Sequence, residues 1–331
     1  MNHKNCCMSD LNNIKRPISE ELAGFESYFH TTMKTSVPLL NMVISYLLRR
    51  KGKQMRPILV FLTAKLFAKP NQSTNTAAAL IEILHTATLI HDDVVDESYE
   101  RRGFFSINAI WKSKVAVLLG DYLLAKGMLL AVKNKEYELL DIVAEAVREM
   151  SEGELLQLKN SRKHNINRAE YYEIIRKKTA TLIACCSACG AKSVGMPPDV
   201  VHKMQEFGEF LGNAFQIKDD LLDYQTNNLT GKPLGNDLRE KKLTLPLIYA
   251  LEQSSQQERS RILRLINHQT KNRENFNLIL SFVESNGGIE FSRHEMHNFC
   301  ERALKILEPF QDSEIKVALH KFVDYTILRN K

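Results

Sequence analysis

Two short acidic motifs carry the residues of this chain that are best suited to chemistry. Residues 91–97 read His-Asp-Asp-Val-Val-Asp-Glu and residues 218–224 read Lys-Asp-Asp-Leu-Leu-Asp-Tyr, so both contain Asp-Asp-x-x-Asp. Side chains four residues apart are neighbours on a helix, and each motif would present a pair of carboxylates on one face. Hard oxygen ligands at this spacing suit Mg²⁺, which keeps some waters and shares its coordination with substrate phosphates. The predicted ligand pairs are Asp92 with Asp96 and Asp219 with Asp223.

The surroundings of the motifs favour this interpretation over acidic helix ends that merely face solvent. Apolar residues lead into each motif at steps of four, so each carboxylate pair extends a stripe that faces a core. Carboxylates in that position are costly unless they are paired or bound to a metal. An EF-hand is excluded, because its loop needs an oxygen ligand at position 3 and glycine at position 6, where this chain has Leu221 and Tyr224.

Basic residues gather where the predicted helices break. Arginine offers a planar fork to phosphate oxygens, and lysine offers a compact point charge. Each cluster alone is typical of a solvated face, but beside paired acids the clusters indicate a site for a metal-bound diphosphate. They comprise Lys51, Lys53, Arg56, Arg101, Arg102, Lys177, Lys178, Lys232 and Lys242.

Helices are expected to position these residues. Apolar residues recur at steps of three and four nearly throughout, and the alternating runs typical of strands are scarce. With only 14 Gly and 9 Pro in 331 residues, the chain does not resemble collagen, a disordered linker or a turn-rich β-sandwich. We therefore predict an all-α fold, a single large helical bundle. The predicted helical windows are 20–50, 56–68, 74–98, 105–132, 136–162, 168–194, 199–226 and 242–253, with three more towards the C-terminus.

The breaks between these windows are loop-sized, so residues 1–331 are predicted to form one domain, with 1–20 as a poorly ordered extension. A net charge of +6 is too mild by itself to indicate a nucleic-acid partner. Six cysteines without a framework spacing favour a reduced, cytoplasmic setting. We predict no transmembrane segment, because the longest uncharged run, 179–191, is shorter than the ~20 residues that span a bilayer.

Taken together, the motifs resemble those of the polyprenyl synthetase family, the trans-isoprenyl diphosphate synthases, of the medium- and long-chain type. The likeness runs from about residue 40 to 252, and it departs where Lys51 and Lys241 replace a usual glycine. The matching elements are Gly-Lys-x-x-Arg-Pro at 52–57, His-x6-Asp-Asp-x-x-Asp at 85–96, Arg-Arg-Gly at 101–103, Gly-Asp at 120–121, Glu-Gly-Glu-x-x-Gln at 152–157, Lys-Thr at 178–179, Phe-Gln-x-x-Asp-Asp-x-x-Asp at 215–223 and Gly-Lys-x-x-Gly-x-Asp at 231–237.

The resemblance implies an isoprenoid-synthase-like bundle with a central cavity, a homodimer and three Mg²⁺ per active site. It also implies a head-to-tail condensation, in which an allylic diphosphate ionises, the double bond of isopentenyl diphosphate attacks the carbocation, and a proton is lost to the departing diphosphate. Negative charge develops on that diphosphate, so metal ions and fixed cations are the expected catalytic devices.

The resemblance also assigns roles by position. The metal ligands would be Asp92, Asp93, Asp96, Asp219 and Asp223. Isopentenyl diphosphate would be held by Lys53, Arg56, His85 and Arg102. The allylic diphosphate would be held by Arg101, Lys178, Thr179, Gln216, Lys232 and Lys242. Within these groups, the catalytic residues would be Asp92, Asp96, Asp219, Lys178 and Lys232.

Small residues precede the first motif. Similar short-chain enzymes have bulky aromatic residues there, which act as a floor that stops the growing product chain. Thr88 and Ala87 lie four and five positions before Asp92. If the growing chain runs along this helix at about one isoprene unit per ~5.4 Å turn, we expect a product of about six to eight units, the type used for quinone side chains. Candidates for a deeper floor are Leu84, Ile81, Leu119, Leu123 and Met128.

Other interpretations were weighed against these motifs. A shorter farnesyl or geranylgeranyl product stays open. His91-Asp92 resembles the core of a His-Asp metal phosphohydrolase, with His85 as a conceivable further ligand, but that leaves the second acidic motif unexplained. A class I terpene cyclase does not need the second diphosphate site, and a non-catalytic regulatory subunit is expected to lose an acidic motif. Cys186-x-x-Cys189 is more typical of core packing than of a zinc half-site.

Overall fold

Helices build nearly all of the computed structural model, which describes residues 11–49, 52–101, 103–163, 167–224, 242–268 and 273–328. The first helices are α1 (Ser19–Met33), α2 (Pro38–Leu48), α3 (Met55–Phe67), α4 (Gln72–Val95), α5 (Ile107–Lys133) and α6 (Tyr137–Lys163). Next come α7 (Arg168–Ile175), a π-helical segment (Arg176–Ala180), α8 (Thr181–Ser193) and α9 (Pro198–Asp223). The last are α10 (Leu245–Gln253), α11 (Gln256–His268), α12 (Arg273–Ser285), α13 (Gly288–Leu307) and α14 (Glu314–Leu328).

The predicted all-α class is confirmed, and local signals placed several boundaries correctly. Asn167 accepts a hydrogen bond from the Glu170 backbone N–H at 2.9 Å, and the Glu170 side chain accepts one from the Asn167 N–H, which forms a capping box at the predicted start of α7. The predicted start of the window 199–226 is correct within one residue, because α9 begins at Pro198.

Several predicted boundaries were wrong. The window 20–50 is two helices, because Pro38 starts α2 after a break. Within the described residues, four helices, not three, follow residue 253. Of the expected extension over 1–20, the described part includes Ile14 and Ile18, which are fully buried. Two antiparallel strands of two residues each, β1 (Glu100–Arg101) and β2 (Phe104–Phe105), follow the first acidic motif.

Helix α8 lies at the centre of the bundle and is built from small side chains. It packs against α3, α4, α6 and α9. A Cβ on Gly190 would lie 2.6 Å from the carbonyl oxygen of Val60 in α3, so only glycine permits this approach. The same demand explains the cysteine cluster: Cys186 is fully buried, and burial raises the pKa of its thiol. Within the described parts of the chain, no three His, Cys, Asp or Glu side chains are placed to share a metal ion.

Helix α9 approaches α8 and the π-helical segment as closely as α8 approaches α3. A Cβ on Gly212 would lie 2.4 Å from the Cα of Ala180, and one on Gly208 would lie 2.6 Å from the Cα of Ala184. Both pairs are four residues apart on their helices, so the contact runs for a full turn. The helix that ends in the second acidic motif is therefore fixed against the central helix by backbone contact.

Helix α5 packs along α4, the helix that ends in the first acidic motif. It is long and apolar enough to cross a membrane by length and composition, with a mean hydropathy of 1.8 in its most apolar window. Its backbone leaves helical geometry at Lys112, where φ is 70°. Its inner face is buried at Leu119 and Leu123, and its outer face exposes Leu118 and Leu129.

Candidate active site

The first acidic motif lies at the carboxyl end of α4. Asp92 is half-buried, Asp93 is buried with 6% of its surface exposed, and Asp96 is exposed at the C-cap. The Asp96 N–H donates to the Asp92 carbonyl oxygen at 2.8 Å and closes the last turn. The carboxyl end of a helix carries a partial negative charge, which adds to the two carboxylates. This end of α4 therefore favours a cation.

The second motif repeats this arrangement at the carboxyl end of α9. Asp219 and Asp223 are half-buried, and Asp220 is buried with 3% of its surface exposed. In both motifs the outer carboxylates are open to a ligand and the middle one points into the protein. Burial thus sets Asp93 apart from the other predicted metal ligands, and its assignment remains a prediction.

The π-helical segment between α7 and α8 carries the predicted diphosphate ligands Lys178 and Thr179. Such wide turns occur frequently at functional sites. Lys178 Nζ lies 2.5 Å from Glu154 Oε2 and donates to Gln157 Oε1 at 3.3 Å. Gly153 lets α6 come this close, because a Cβ there would lie 2.8 Å from the Lys178 backbone nitrogen. The Glu-Gly-Glu-x-x-Gln motif thus supports Lys178.

The neighbouring Lys177 is turned the other way and buried. Its Nζ donates to Glu149 Oε1 at 3.0 Å and to Glu152 Oε2 at 2.7 Å. These hydrogen bonds, that to Glu152 first, raise the pKa of Lys177. Burial alone would raise the pKa of Glu149, but hydrogen bonds from Lys177 and Arg176 hold it below its ordinary 4.5. The ion pairs therefore anchor the π-helical segment to α6.

A hydrogen-bond chain connects the π-helical segment to the second acidic motif. The Thr179 hydroxyl donates to Gln216 Oε1 at 2.8 Å, and Gln216 Nε2 donates to Asp220 Oδ1 at 2.9 Å. The Tyr171 hydroxyl donates to the other oxygen of Asp220 at 2.6 Å. The structure therefore brings together Thr179 and Gln216, two residues predicted to hold the same diphosphate.

The residues predicted to hold isopentenyl diphosphate lie where α3 meets α4. Arg56 Nε donates to Glu82 Oε1 at 2.7 Å, and a second guanidinium N–H donates to the other oxygen at 3.4 Å. Lys53 Nζ lies 5.4 Å from the centre of the Tyr325 ring. His85 is half-buried on α4, one turn after Glu82. A guanidinium has five N–H donors, so Arg56 can keep Glu82 and still bind a phosphate.

Some predicted residues cannot be placed in this site. Arg102 and Lys232, with the departures Lys51 and Lys241, lie outside the described residues. Arg101 is described as part of β1 through its backbone. Lys242 is half-buried and precedes α10, near the 2.8 Å hydrogen bond between Tyr224 and Thr244.

The predicted chain-length residues lie between α4 and α5. Ala87 is fully buried in one cluster with Leu119 and Leu123. Leu84 and Ile81 are buried in the adjoining core, where Gly127 of α5 faces Leu84. The Thr88 hydroxyl donates to the His85 carbonyl oxygen at 2.9 Å. Met128 was wrongly grouped with them, because half of its surface is exposed on the outer face of α5.

Sequence reasoning missed the residues that support the site. Glu82, Glu149, Tyr171 and Asp220 contact the predicted ligands or their neighbours. Asp220 stands inside a recognised motif, and only its burial sets it apart. Tyr171 carries no local signal, because its partner lies 49 residues away.

Replacing Lys177 with Met should destabilise the protein by about 1 to 3 kcal/mol at pH 7, because two partly buried glutamates lose their partner. The folded-state pKa of Glu149 is depressed, so the stabilisation is present above pH 4.5 and is lost as pH falls through the lower folded value. Unfolding by denaturant at pH 7 and pH 4 should show that the variant loses more free energy of unfolding, relative to the wild type, at pH 7.

Lys192→Met is the matched control, since Lys192 pairs at 2.6 Å with Glu138, whose side chain is 76% exposed. It should change the free energy of unfolding by less than about 1 kcal/mol. A Lys177→Met deficit that is equal at both pH values would contradict the proposed anchoring.

Known proteins resemble this chain in both fold and sequence. The family model described as polyprenyl synthetase matches residues 37–283. An octaprenyl diphosphate synthase from Escherichia coli is 32% identical over 97% of this chain and 100% of its own length. A crystal structure of a polyprenyl synthase from Caulobacter crescentus, complexed with calcium and isoprenyl diphosphate, is 33% identical with a TM-score of 0.88, over 97% of this chain and 98% of that one.

A geranylgeranyl pyrophosphate synthase from Bacteroides thetaiotaomicron is 37% identical, with a TM-score of 0.82, over 97% of this chain and 100% of that one. These likenesses span chains whose names differ in product length. The family model covers most of this chain, and the relatives match it over nearly their whole length. This chain therefore belongs to the polyprenyl synthetase family of transferases.

Proposed function

We propose that this protein is an all-trans polyprenyl diphosphate synthase, which joins isopentenyl diphosphate head to tail to an allylic diphosphate. The observation that carries the proposal is the pair of acidic helix ends, Asp92 with Asp96 and Asp219 with Asp223, on two helices that both pack against α8. The calcium and isoprenyl diphosphate bound by the Caulobacter relative support a metal–diphosphate site in this chain.

The two carboxylate pairs fit Mg²⁺. Each pair supplies two oxygens at a negative helix end, and within the described residues no third acidic, His or Cys side chain completes a cage. That matches an ion whose other ligands are waters and diphosphate oxygens. Bound Mg²⁺, three ions per site by the family pattern, would stabilise the charge that develops on the departing diphosphate.

The remaining residues of the site bind and orient the two substrates. Lys178 lies where it can neutralise the allylic diphosphate, and Glu154 keeps its ammonium in place at 2.5 Å. Arg56, with Lys53 and His85, supplies the charge and donors for isopentenyl diphosphate at the start of α3. Two separate cationic groups therefore serve two diphosphates, which a cyclase or a phosphohydrolase does not require.

Incubation of the purified protein with Mg²⁺, labelled isopentenyl diphosphate and geranyl, farnesyl or geranylgeranyl diphosphate should yield chain-extended products. Asp92→Asn and Asp219→Asn should each lower kcat by about 10²-fold or more, because they remove stabilisation of the leaving group. Asp199→Asn, at the other end of α9, is the matched control and should keep full activity. The proposal fails if the folded protein extends no primer, or if it releases phosphate from nucleotides instead.

The product is proposed to be of medium to long chain, as suits a quinone side chain. Ala87 is fully buried, and it and Thr88 leave no bulky floor within the two turns before Asp92. The octaprenyl synthase from Escherichia coli supports this length. The geranylgeranyl synthase at 37% identity favours a shorter product as the second candidate, with Leu84 against Gly127 as its floor.

Ala87→Phe should shorten the product by one or more isoprene units, because a ring at this position fills the space between α4 and α5. Chromatographic sizing of the products measures the change. Leu89→Phe adds a ring to another face of α4, where the native residue is only half-buried, and should leave the product unchanged. An unaltered distribution in Ala87→Phe would refute this account of chain length.

The protein is further proposed to be a homodimer. The outer face of α5 exposes Val117, Leu118, Leu129 and Val132. A contiguous apolar face of this kind on a protein surface marks an interaction site. A second copy of the chain is the proposed occupant, because α5 already packs along α4 and a self-complementary apolar face suits a two-fold contact.

Leu118→Glu should convert the dimer to a monomer, because its side chain is 66% exposed on this face and a charge buried in the dimer contact has no partner. Sedimentation velocity measures the change. Leu278→Glu on α12, 47% exposed, should leave the assembly intact. A wild-type protein that sediments as a monomer would exclude the dimer.

A cytoplasmic setting is also proposed. The cysteines of the described residues, Cys185, Cys186, Cys189 and Cys300, are free and buried, which supports a reducing compartment.

A further inference from the structure

Tyr171 and Asp220 form a buried pair that ends the hydrogen-bond chain from Thr179. We propose that they are positioning residues, which fix the orientation of Gln216 and Thr179 at the allylic diphosphate. The inference rests on the proposed function and deepens it. Neither residue is expected to touch substrate, because Tyr171 is 4% and Asp220 is 3% exposed.

Both oxygens of Asp220 are already engaged. One accepts the Tyr171 hydroxyl at 2.6 Å and the other accepts Gln216 Nε2 at 2.9 Å. The carboxylate is therefore held inside the protein while its neighbour Asp219 stays at the open face of the helix.

The two hydrogen bonds of the Gln216 amide give the hydrogen-bond chain a direction. Its NH₂ donates to Asp220, and its oxygen therefore faces Thr179 and accepts from it. The Thr179 hydrogen is then directed at Gln216 over 2.8 Å. This leaves Thr179 with lone pairs, which suit a metal-bound water, and Gln216 with one N–H, which suits a diphosphate oxygen.

The hydrogen-bond chain also connects α9 to two consecutive elements that precede it in the sequence. Tyr171 lies on α7, Thr179 on the π-helical segment, and Gln216 and Asp220 lie one turn apart on α9. A displacement of Asp220 would therefore turn Asp219 and Gln216 together. The expected consequence concerns the allylic diphosphate and its metal ions, and not isopentenyl diphosphate, whose proposed ligands lie on α3 and α4.

The test compares Tyr171→Phe with Tyr172→Phe. Both variants lose one hydroxyl that donates to a carboxylate, because Tyr172 donates to Glu295 Oε2 at 2.7 Å, but only Tyr171 is linked to the site. Tyr171→Phe should raise the KM for the allylic diphosphate and the Mg²⁺ concentration at half-maximal rate by roughly three- to tenfold. The KM for isopentenyl diphosphate should stay within about twofold, and Tyr172→Phe should change none of these values.

Asp220→Asn provides a second variant with the same shape. A neutral amide can offer either a donor or an acceptor to Gln216, so the direction of the chain is lost, and the rise in both quantities should exceed that of Tyr171→Phe. In the double variant the effects should be less than additive, because both changes act on one group.

Two failures are distinguishable. Tyr171→Phe and Tyr172→Phe could lower the unfolding midpoint alike and leave the KM for the allylic diphosphate and the Mg²⁺ requirement at wild-type values. In that case the hydrogen-bond chain serves packing alone, and the inference is overturned. If the wild-type protein extends no allylic primer, the proposed function itself is rejected.

Discussion

The structure depends on how closely α9 approaches α8. Gly208 and Gly212 face Ala184 and Ala180 at distances that leave no room for a Cβ, so the two backbones touch. Small residues of α8 extend this close packing to α3 through Gly190. Because the second acidic motif ends α9 and the π-helical segment that carries Lys178 leads into α8, one backbone contact positions both the proposed metal ligands and a proposed diphosphate ligand. A side chain in this contact would separate the two halves of the site before it altered any reacting group.

Electrostatics shape the site at a second level. Both acidic motifs terminate helices, where carboxylates and the helix dipole repel each other, and a bound cation relieves that repulsion. Nearby, Arg56 and Lys178 already have carboxylate partners, Glu82 and Glu154. The small net charge of +6 therefore gives no indication of the many positive and negative side chains that lie next to each other at the site. Such pairing keeps the cations in place while no diphosphate is bound.

Periodicity and local signals were sufficient for much of the architecture. The capping box at Asn167 and the proline start of α9 depend on neighbours in the sequence, so they could be read directly. The same is true of the i, i+4 spacing of Asp92 and Asp96. The proline that divides the first predicted window also had a local signal, since Pro38 occupies the first position of α2. Resemblance, and not periodicity, supplied the individual roles of the cationic residues.

Other features have no local signature. The inward turn of Asp93 and Asp220 depends on which helix packs over them, and Tyr171 finds its partner through the tertiary fold. Met128 faces the exposed side of α5 because it lies five residues after Leu123, which turns it by about 140° around the helix. The π-helical segment contacts both α6 and α9, and its composition is that of an ordinary helix.

That turn has a consequence for how related sequences can differ. A π-helical turn holds one residue more than an α-helical turn, so it offsets the faces of α7 and α8 by one position. Lys177 can then meet the acids of α6 while Thr179, two residues later, meets Gln216 on α9. Removal of a single residue between Arg176 and Ala180 would restore a continuous α-helix and satisfy only one of these two contacts. In this segment the number of residues is therefore constrained more strictly than their identity, and sequence alignments should place no gap there.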